Sequence, residues 1–220
     1  MNDVVLDLWG PLACFTPAQA KVERVSYAVP TPSAIRGMLA SIYGKPEEFY
    51  WLVRRIEVLN PIRYVSCRRN EVAVKASGLR PIDVEDAKNV RTQRSTTMLK
   101  DVRYRVTASL IPRSSDPAVA KTLLSQANRR IAKGQCFLQP YLGTRECECY
   151  FGPADVSRDP IRETQDFNYM TYDTHVPADA TRGKSEANVS LYHCVMVDGV
   201  IDVPDYDDPS VLKIGGGVVV

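Results

Sequence analysis

MLKDVRYRVTASLIPRSSDPAVAKTLLSQANRRIAKG, residues 98–134, is the stretch on which the fold turns. In its first half Leu99, Val102, Tyr104, Val106 and Ala108 interleave with Lys100, Arg103, Arg105 and Thr107, the pattern of a strand with one buried face. RSSDP (113–117) then breaks the chain. The second half predicts a helix over 118–134, with Asp116 as its N-cap, Pro117 in its first turn and Gly134 at its end. A strand thus feeds a helix across a short break.

The same unit occurs earlier. VVLDLWG (4–10) alternates and reads as a strand, and residues 13–30 read as a loop carrying Lys21 and Arg24. A helix over about 32–43 follows, with Thr31 as N-cap, Pro32 at its first position and an apolar stripe of Ile35, Met38, Leu39 and Ile42. Gly44 is expected to supply a left-handed C-cap, and Pro46 blocks continuation. WLVRRIEVLNPIRYVSCRRNEVAVKA (51–76) predicts a long strand interrupted near Asn60-Pro61. Residues 77–97 are polar and form a hairpin tip, and QCFLQPYLGTRECECYFG (135–152) predicts a strand with a central turn.

The order is strand–helix–strand–strand–helix–strand, the split βαβ pattern of a ferredoxin-like α+β domain. We expect this domain over 1–152, with a projecting β-hairpin at about 62–108. Residues 153–220 hold short strand candidates (YMTYDT, LYHCVMVDGVIDV) and predict a small antiparallel β appendage. RNA-recognition domains share the ferredoxin-like order, but fold alone does not fix function.

With 45% hydrophobic and 25% charged residues, the 220-residue chain is an ordinary globular protein. No apolar run approaches the roughly 20 residues that span a bilayer. The N-terminus lacks a basic, then apolar, leader, so a cytoplasmic protein with no membrane partner is expected. Cys14, Cys67, Cys136, Cys147, Cys149 and Cys194 lack disulfide or metal spacing, and a zinc site wants two close pairs or nearby histidines. No metal or other cofactor is expected. Charge is uneven: residues 1–150 carry 23 Lys and Arg against 14 Asp and Glu, a net of +9, while 151–220 carry 5 against 12, a net of −7. A basic body with an acidic tail fits a polyanionic partner for the body, or two surfaces that attract each other.

Four segments, KVERVSYAVPTPSAIRGMLASIYGKP, RRIEVLNPIRYVSCRRNEV, QRSTTMLKDVRYRV and KGQCFLQPYLGTRECECYF, together resemble the CRISPR-associated RAMP proteins of subtype I-C, the Dvulg type of the fifth Cas family. The likeness runs from about residue 4 to 152 and resumes at VMVDGVI. It implies a modified ferredoxin-like, RRM-like domain with a small C-terminal β domain. It also implies metal-independent cleavage of CRISPR repeat RNA (pre-crRNA), leaving a 2′,3′-cyclic phosphate. The protein then stays on the crRNA 5′ handle beside the backbone, large and small subunits of the type I-C Cascade. The alternative is a non-catalytic, handle-binding scaffold subunit of the same complex.

The family's catalytic tyrosine ends the first helix, which maps to Tyr43. Its Lys-His pair opens the second helix, where this chain has Lys121 followed by Thr122. The only histidines, His175 and His193, lie in the C-terminal part, so a usual proton shuttle is missing from the pair. Lys45 is a second candidate cation. Arg68, Arg69, Asn70, Arg91 and Arg94 on the hairpin are candidate phosphate clamps. Lys21, Arg24, Arg129, Arg130 and Arg145 are further candidate RNA contacts. Gly134 and Gly143 bracket a segment where the family has a glycine-containing loop against the RNA backbone; a helix C-cap plus a strand bulge reads the same residues equally well. Tyr64 and Tyr104 are read as core residues before base-stacking ones.

Overall fold

The computed structural model describes residues 3–17, 20, 24–72, 91–175 and 188–214. Lys21 and the hairpin tip at 73–90 lie outside the described residues. Among the described residues, ten strands and two helices follow in order: β1 (Asp3–Ala13), β2 (Arg24–Val25), α1 (Pro32–Ile42), β3 (Phe49–Val58), β4 (Tyr64–Val72), β5 (Arg91–Pro112), α2 (Pro117–Ala132), β6 (Tyr150–Pro153), β7 (Gln165–His175), β8 (Asn188–Met196), β9 (Val200–Asp202) and β10 (Leu212–Ile214).

The main sheet runs β6-β1-β5-β3-β9. The four strands β6-β1-β5-β3 have the order and antiparallel pairing of a ferredoxin-like fold, with α1 and α2 as the two connections. Alternation decides the faces. Leu6, Leu8, Tyr104, Val106, Ala108, Leu110 and Ile56 are buried in one core with Ile35, Leu39 and Ile42 of α1 and Leu123, Ala127 and Ile131 of α2. Both predicted N-caps are made: the Thr31 side chain accepts from the Ala34 amide, and Asp116 from the Ala118 amide. Each such cap contributes about 1 kcal/mol.

β3 stops pairing at Val58–Tyr104, while β5 continues beside β1 as far as Leu99. β5 runs on as the hairpin partner of β4, with Asp101 at φ 53 at the departure point. Among non-glycine residues Asp tolerates this left-handed conformation better than most. The interruption expected near Asn60-Pro61 is present, since β3 ends at Val58 and β4 begins at Tyr64.

Two local expectations are corrected. Gly44 is not a left-handed cap: Tyr43 is the C-cap in extended conformation (φ −149, ψ 102), and its amide donates to the Leu39 carbonyl. Glycine is required at 44 for closeness instead, since a Cβ there would lie 2.6 Å from the Ala40 carbonyl oxygen. Residues 135–149 do not form a strand with a turn. Only an isolated Tyr141–Glu148 bridge pairs within them, and regular strand begins at Tyr150. Gly143, at φ 90, packs so tightly on the end of β1 that an added Cβ would lie 2.0 Å from the Cys14 carbonyl oxygen. The loop is fixed there by the Cys14 amide donating to the Leu142 carbonyl at 2.9 Å.

The C-terminal segment builds a three-stranded antiparallel sheet, β10-β8-β7, and returns β9 to the edge of the main sheet beside β3. Asp173, Asp202 and Asp205 of this acidic segment form ion pairs with Arg36, Arg55 and Arg54 of the basic body. A second link is buried: Asp7, fully inaccessible on β1, accepts from Arg103 and Arg105 of β5. Arg105 also bonds Glu57 and the carbonyls of Asp155 and Arg158, tying the 153–158 loop to the sheet.

Candidate functional site

Tyr43 stands where α1 stops. Its residue is only 3% exposed, and its hydroxyl donates to Gln126 Oε1 of α2 at 2.8 Å. The ring packs on Phe49 at 5.1 Å between centroids, and the Arg130 guanidinium lies over it at 5.4 Å. Trp51 Nε1 donates to the Tyr43 carbonyl, so both ends of the residue are held. Burial pushes the phenol's pKa up, a trend that Lys45 opposes, Glu48 reinforces, and Arg130 and Arg129 oppose. The phenol is therefore a protonated donor at neutral pH.

Lys45 lies two residues on, with its ammonium on Glu48 Oε1 at 2.7 Å; that hydrogen bond raises its pKa. Glu48 also borders a cavity of about 250 Å³ that Thr122 and Gln126 line from α2. Thr122 and Gln126 share a helix face because they are four residues apart. Lys121 is exposed at the opening of α2 and makes no ion pair with a described residue. The structure brings Tyr43 together with Gln126 and Arg130, and not into contact with Lys121, whose Cα lies about 7.5 Å along the helix axis from that of Gln126. Gln126 and Glu48 were missed from the sequence. Their only local signals were the i+4 spacing from Thr122 and the i+3 spacing from Lys45.

The hairpin gathers its arginines differently from the expectation of one clamp. With period two, Arg69 and Arg94 face each other across the ladder on one side, while Arg68, Asn70 and Arg91 point to the other. The facing pair would repel, but Glu71 pairs with Arg94 and Arg24 at 3.3 Å each, and Glu146 pairs with Arg69 and with Arg24 at 3.5 Å. Arg24 thus joins this group through β2, which pairs in parallel with β5. Arg68, Arg91, Arg129 and Arg145 form no ion pair with a described residue and are exposed. Arg145 and Arg24 line a cavity of about 650 Å³ beside Gly143.

Gly134, at φ 61, is a helix cap: its amide donates to the Ile131 carbonyl and the Gln135 amide to that of Arg130, the double bond of a Schellman motif. Tyr104 is core, 2% exposed, whereas Tyr64 is half-exposed on the hairpin. His193 bonds Asp166 at 2.8 Å on the C-terminal sheet, and the side chain of His175 lies outside the described residues. Among the described residues, no three His, Cys, Asp or Glu cluster to hold a metal ion, and no helix is long and apolar enough to cross a membrane.

These features define a class first: a ferredoxin-like α+β protein with an arginine-rich hairpin and a tyrosine-centred polar cluster at the meeting of its two helices. A family model described as CRISPR-associated protein (Cas5), of the Cas5d type, matches residues 3–209, and the chain belongs to that family. It is 36% identical to the CRISPR pre-crRNA endoribonuclease Cas5d of Mannheimia succiniciproducens over 225 residues, covering 93% of this chain and 96% of that one. It is 49% identical over 157 residues to the protein of the same name from Thermus thermophilus, covering 70% of this chain and 66% of that one. A crystal structure of a CRISPR-associated protein matches the fold with a TM-score of 0.66, at 22% identity and 96% coverage of both chains.

Proposed function

We propose that this protein is a pre-crRNA endoribonuclease that cuts CRISPR repeat RNA and keeps the crRNA 5′ handle as a subunit of a type I-C Cascade. The observation that carries the reading is the Tyr43 phenol, held by Gln126 among Lys45, Glu48 and Arg130 in a chain of this family. The relatives' printed activity supports the substrate class.

The reaction is metal-independent transesterification. The ribose 2′-oxygen attacks the adjacent phosphorus, the P–O5′ bond breaks, and a proton goes to the leaving 5′-oxygen. The products are a 2′,3′-cyclic phosphate and a 5′-hydroxyl. Burial keeps the phenol protonated while weakening it as an acid, so Tyr43 acts first as a hydrogen-bond donor to the phosphoryl or leaving oxygen and gives its proton only as charge grows there. Glu48 is the carboxylate at hand to take the 2′-proton. Lys45 and Lys121 neutralise the charge that grows on the phosphorane. Thr122 occupies the place where the family has histidine, and no imidazole of a described residue replaces it. The chemistry therefore rests on positioning and charge rather than on a group titrating near neutrality.

The test is incubation of the purified protein with its cognate repeat RNA in EDTA. Cleavage leaving a cyclic-phosphate end supports the enzyme; tight binding without cleavage selects the scaffold reading. Tyr43→Phe should slow cleavage by about 10²-fold or more, as loss of a proton-transfer group does. It should lower stability by only about 1 kcal/mol, the worth of the hydrogen bond to Gln126. Cleavage by Tyr43→Phe at the parental rate removes Tyr43 from the mechanism.

A further inference from the structure

Gly37 sits in the middle of α1, where alanine would be more stable. Nothing in the packing demands glycine: a Cβ there would meet no atom within 4 Å, and its φ is not in the left-handed range. What a side chain would enter is a cavity of about 370 Å³ between α1 and the segments carrying Tyr27, Tyr141 and Thr171. This cavity has no residue in common with the Tyr43–Gln126 cluster or with the 250 Å³ cavity beside it.

Its lining is aromatic and hydroxylic. Tyr27 and Tyr141 supply rings. Thr16, Thr31, Ser33, Ser41 and Thr171 supply hydroxyls, and no described charged side chain reaches it. Some of these hydroxyls are committed, since Thr31 accepts from the Ala34 amide and Ser41 donates to the Gly37 carbonyl, but the tyrosine side is loosely held. Tyr27 Oη and Thr171 Oγ1 stand 3.3 Å apart, long for a bond between hydroxyls, and the hydroxyl of Tyr141, an exposed residue, has no hydrogen-bond partner among the described residues. A neutral chamber of this kind rejects a phosphate or an ammonium and suits a flat, uncharged group with several donors and acceptors.

Charge begins next door. Thr16, Tyr141 and Gly143 also line the 650 Å³ cavity that holds Arg24 and Arg145. Gly143 cannot carry a side chain without striking Cys14, so the wall between the two chambers is low and backbone-built.

We infer that the Gly37 cavity is a base-reading subsite: one unpaired nucleobase of the repeat RNA enters it, stacks on Tyr141 or Tyr27 and bonds the hydroxyls, while its phosphate lies toward Arg145. The inference rests on the RNA-binding reading above and adds where sequence is read. Phosphate contacts on the hairpin position RNA without telling one base from another; a neutral cleft lined by rings and hydroxyls discriminates.

The experiment measures affinity for repeat RNA and for a series in which each unpaired nucleotide in turn is made abasic. For the parental protein, one abasic position should weaken binding about tenfold or more, the effect of losing one stacked base. Gly37→Leu, which fills the cavity, should weaken binding of intact RNA to a similar degree and lose its sensitivity to that position alone. Gly37→Ala should raise the melting temperature by about 2–4 °C, as a better helix former. If Gly37→Leu melts below the parent, Tyr141→Ala, an exposed ring, replaces it with the same expectation. Parental affinity in these variants, or no single sensitive position, overturns the subsite while leaving the RNA-binding reading intact. Failure of the parental protein to bind repeat RNA overturns both.

Discussion

Two clusters of arginine and carboxylate lie along β5, one near its middle and one in its hairpin part. Near the middle Asp7 is wholly buried and grips Arg103 and Arg105, whose side chains are 18% and 10% exposed. On the hairpin, Glu71 and Glu146 hold Arg24, Arg69 and Arg94, all about one-third exposed. Both join separate pieces of chain by the same chemistry, but water treats them differently. The buried charges cannot be solvated if a partner leaves, whereas the exposed ones exchange a carboxylate for water, salt or phosphate at little cost. The first cluster is part of the fold, and the second is a surface whose arginines can exchange partners.

The largest effect should come from breaking the buried cluster. Asp7→Ala leaves Arg105 with the Glu57 carboxylate and takes from Arg103 its carboxylate partner, and should cost about 3–5 kcal/mol of stability in denaturant unfolding. Asp7→Asn keeps an acceptor oxygen and should cost less. A loss under about 1 kcal/mol for the alanine variant would show that the 153–158 carbonyls and Glu57 suffice to hold Arg105.

How much of this was legible beforehand divides along the same line. Local signals were readable: Thr31 and Asp116 as caps, Gly134 as a C-cap, the helix stripes, the alternation of β1 and β5, and hence the ferredoxin-like order. Contacts across the chain were not. Asp7 lies about a hundred residues from its arginines, and only the register of β1 on β5 sets Asp7 opposite Arg105. Gln126, 83 residues from Tyr43, meets it because α1 and α2 pack on the same sheet face. The loop at 135–149 misled because Phe137, Leu138, Tyr141, Cys147 and Cys149 carry strand-like composition, while Pro140, which lacks an amide donor, and Gly143, at φ 90, prevent a ladder. Gly44 looked like a cap because a glycine after a helix usually is one; here the extended Tyr43 had already ended it.

Reversing the exposed cluster and its outer face should act on RNA and not on folding. With Arg68, Arg69, Arg91 and Arg94 all changed to Glu, repeat-RNA affinity at physiological salt should fall by about 10²-fold or more. The slope of log affinity against log salt should flatten by about 3, because each lost phosphate contact releases fewer counterions. Arg68 and Arg91 alone test the outer face, and Arg69 and Arg94 the inner one. Equal losses would mean RNA passes around both sides of the ladder; a loss confined to one pair would show which side it follows. Unchanged affinity in the fourfold variant removes the hairpin from the RNA path.

The smallest effect is the most specific to the comparison. Glu71→Gln with Glu146→Gln removes the carboxylates that occupy Arg24, Arg69 and Arg94 and keeps the side-chain shape. Exposed pairs contribute about 0–1 kcal/mol each, so thermal stability should fall slightly, with part of the loss arising from repulsion between the facing Arg69 and Arg94. RNA binding should tighten several-fold at low salt, since phosphate no longer has to displace a carboxylate. The gain should shrink in high salt, where counterions screen both versions alike. Weaker RNA binding would instead mean that Glu146, by anchoring the 143–149 loop to the hairpin, keeps Arg145 and Gly143 in place. The exposed cluster would then be as structural as the buried one.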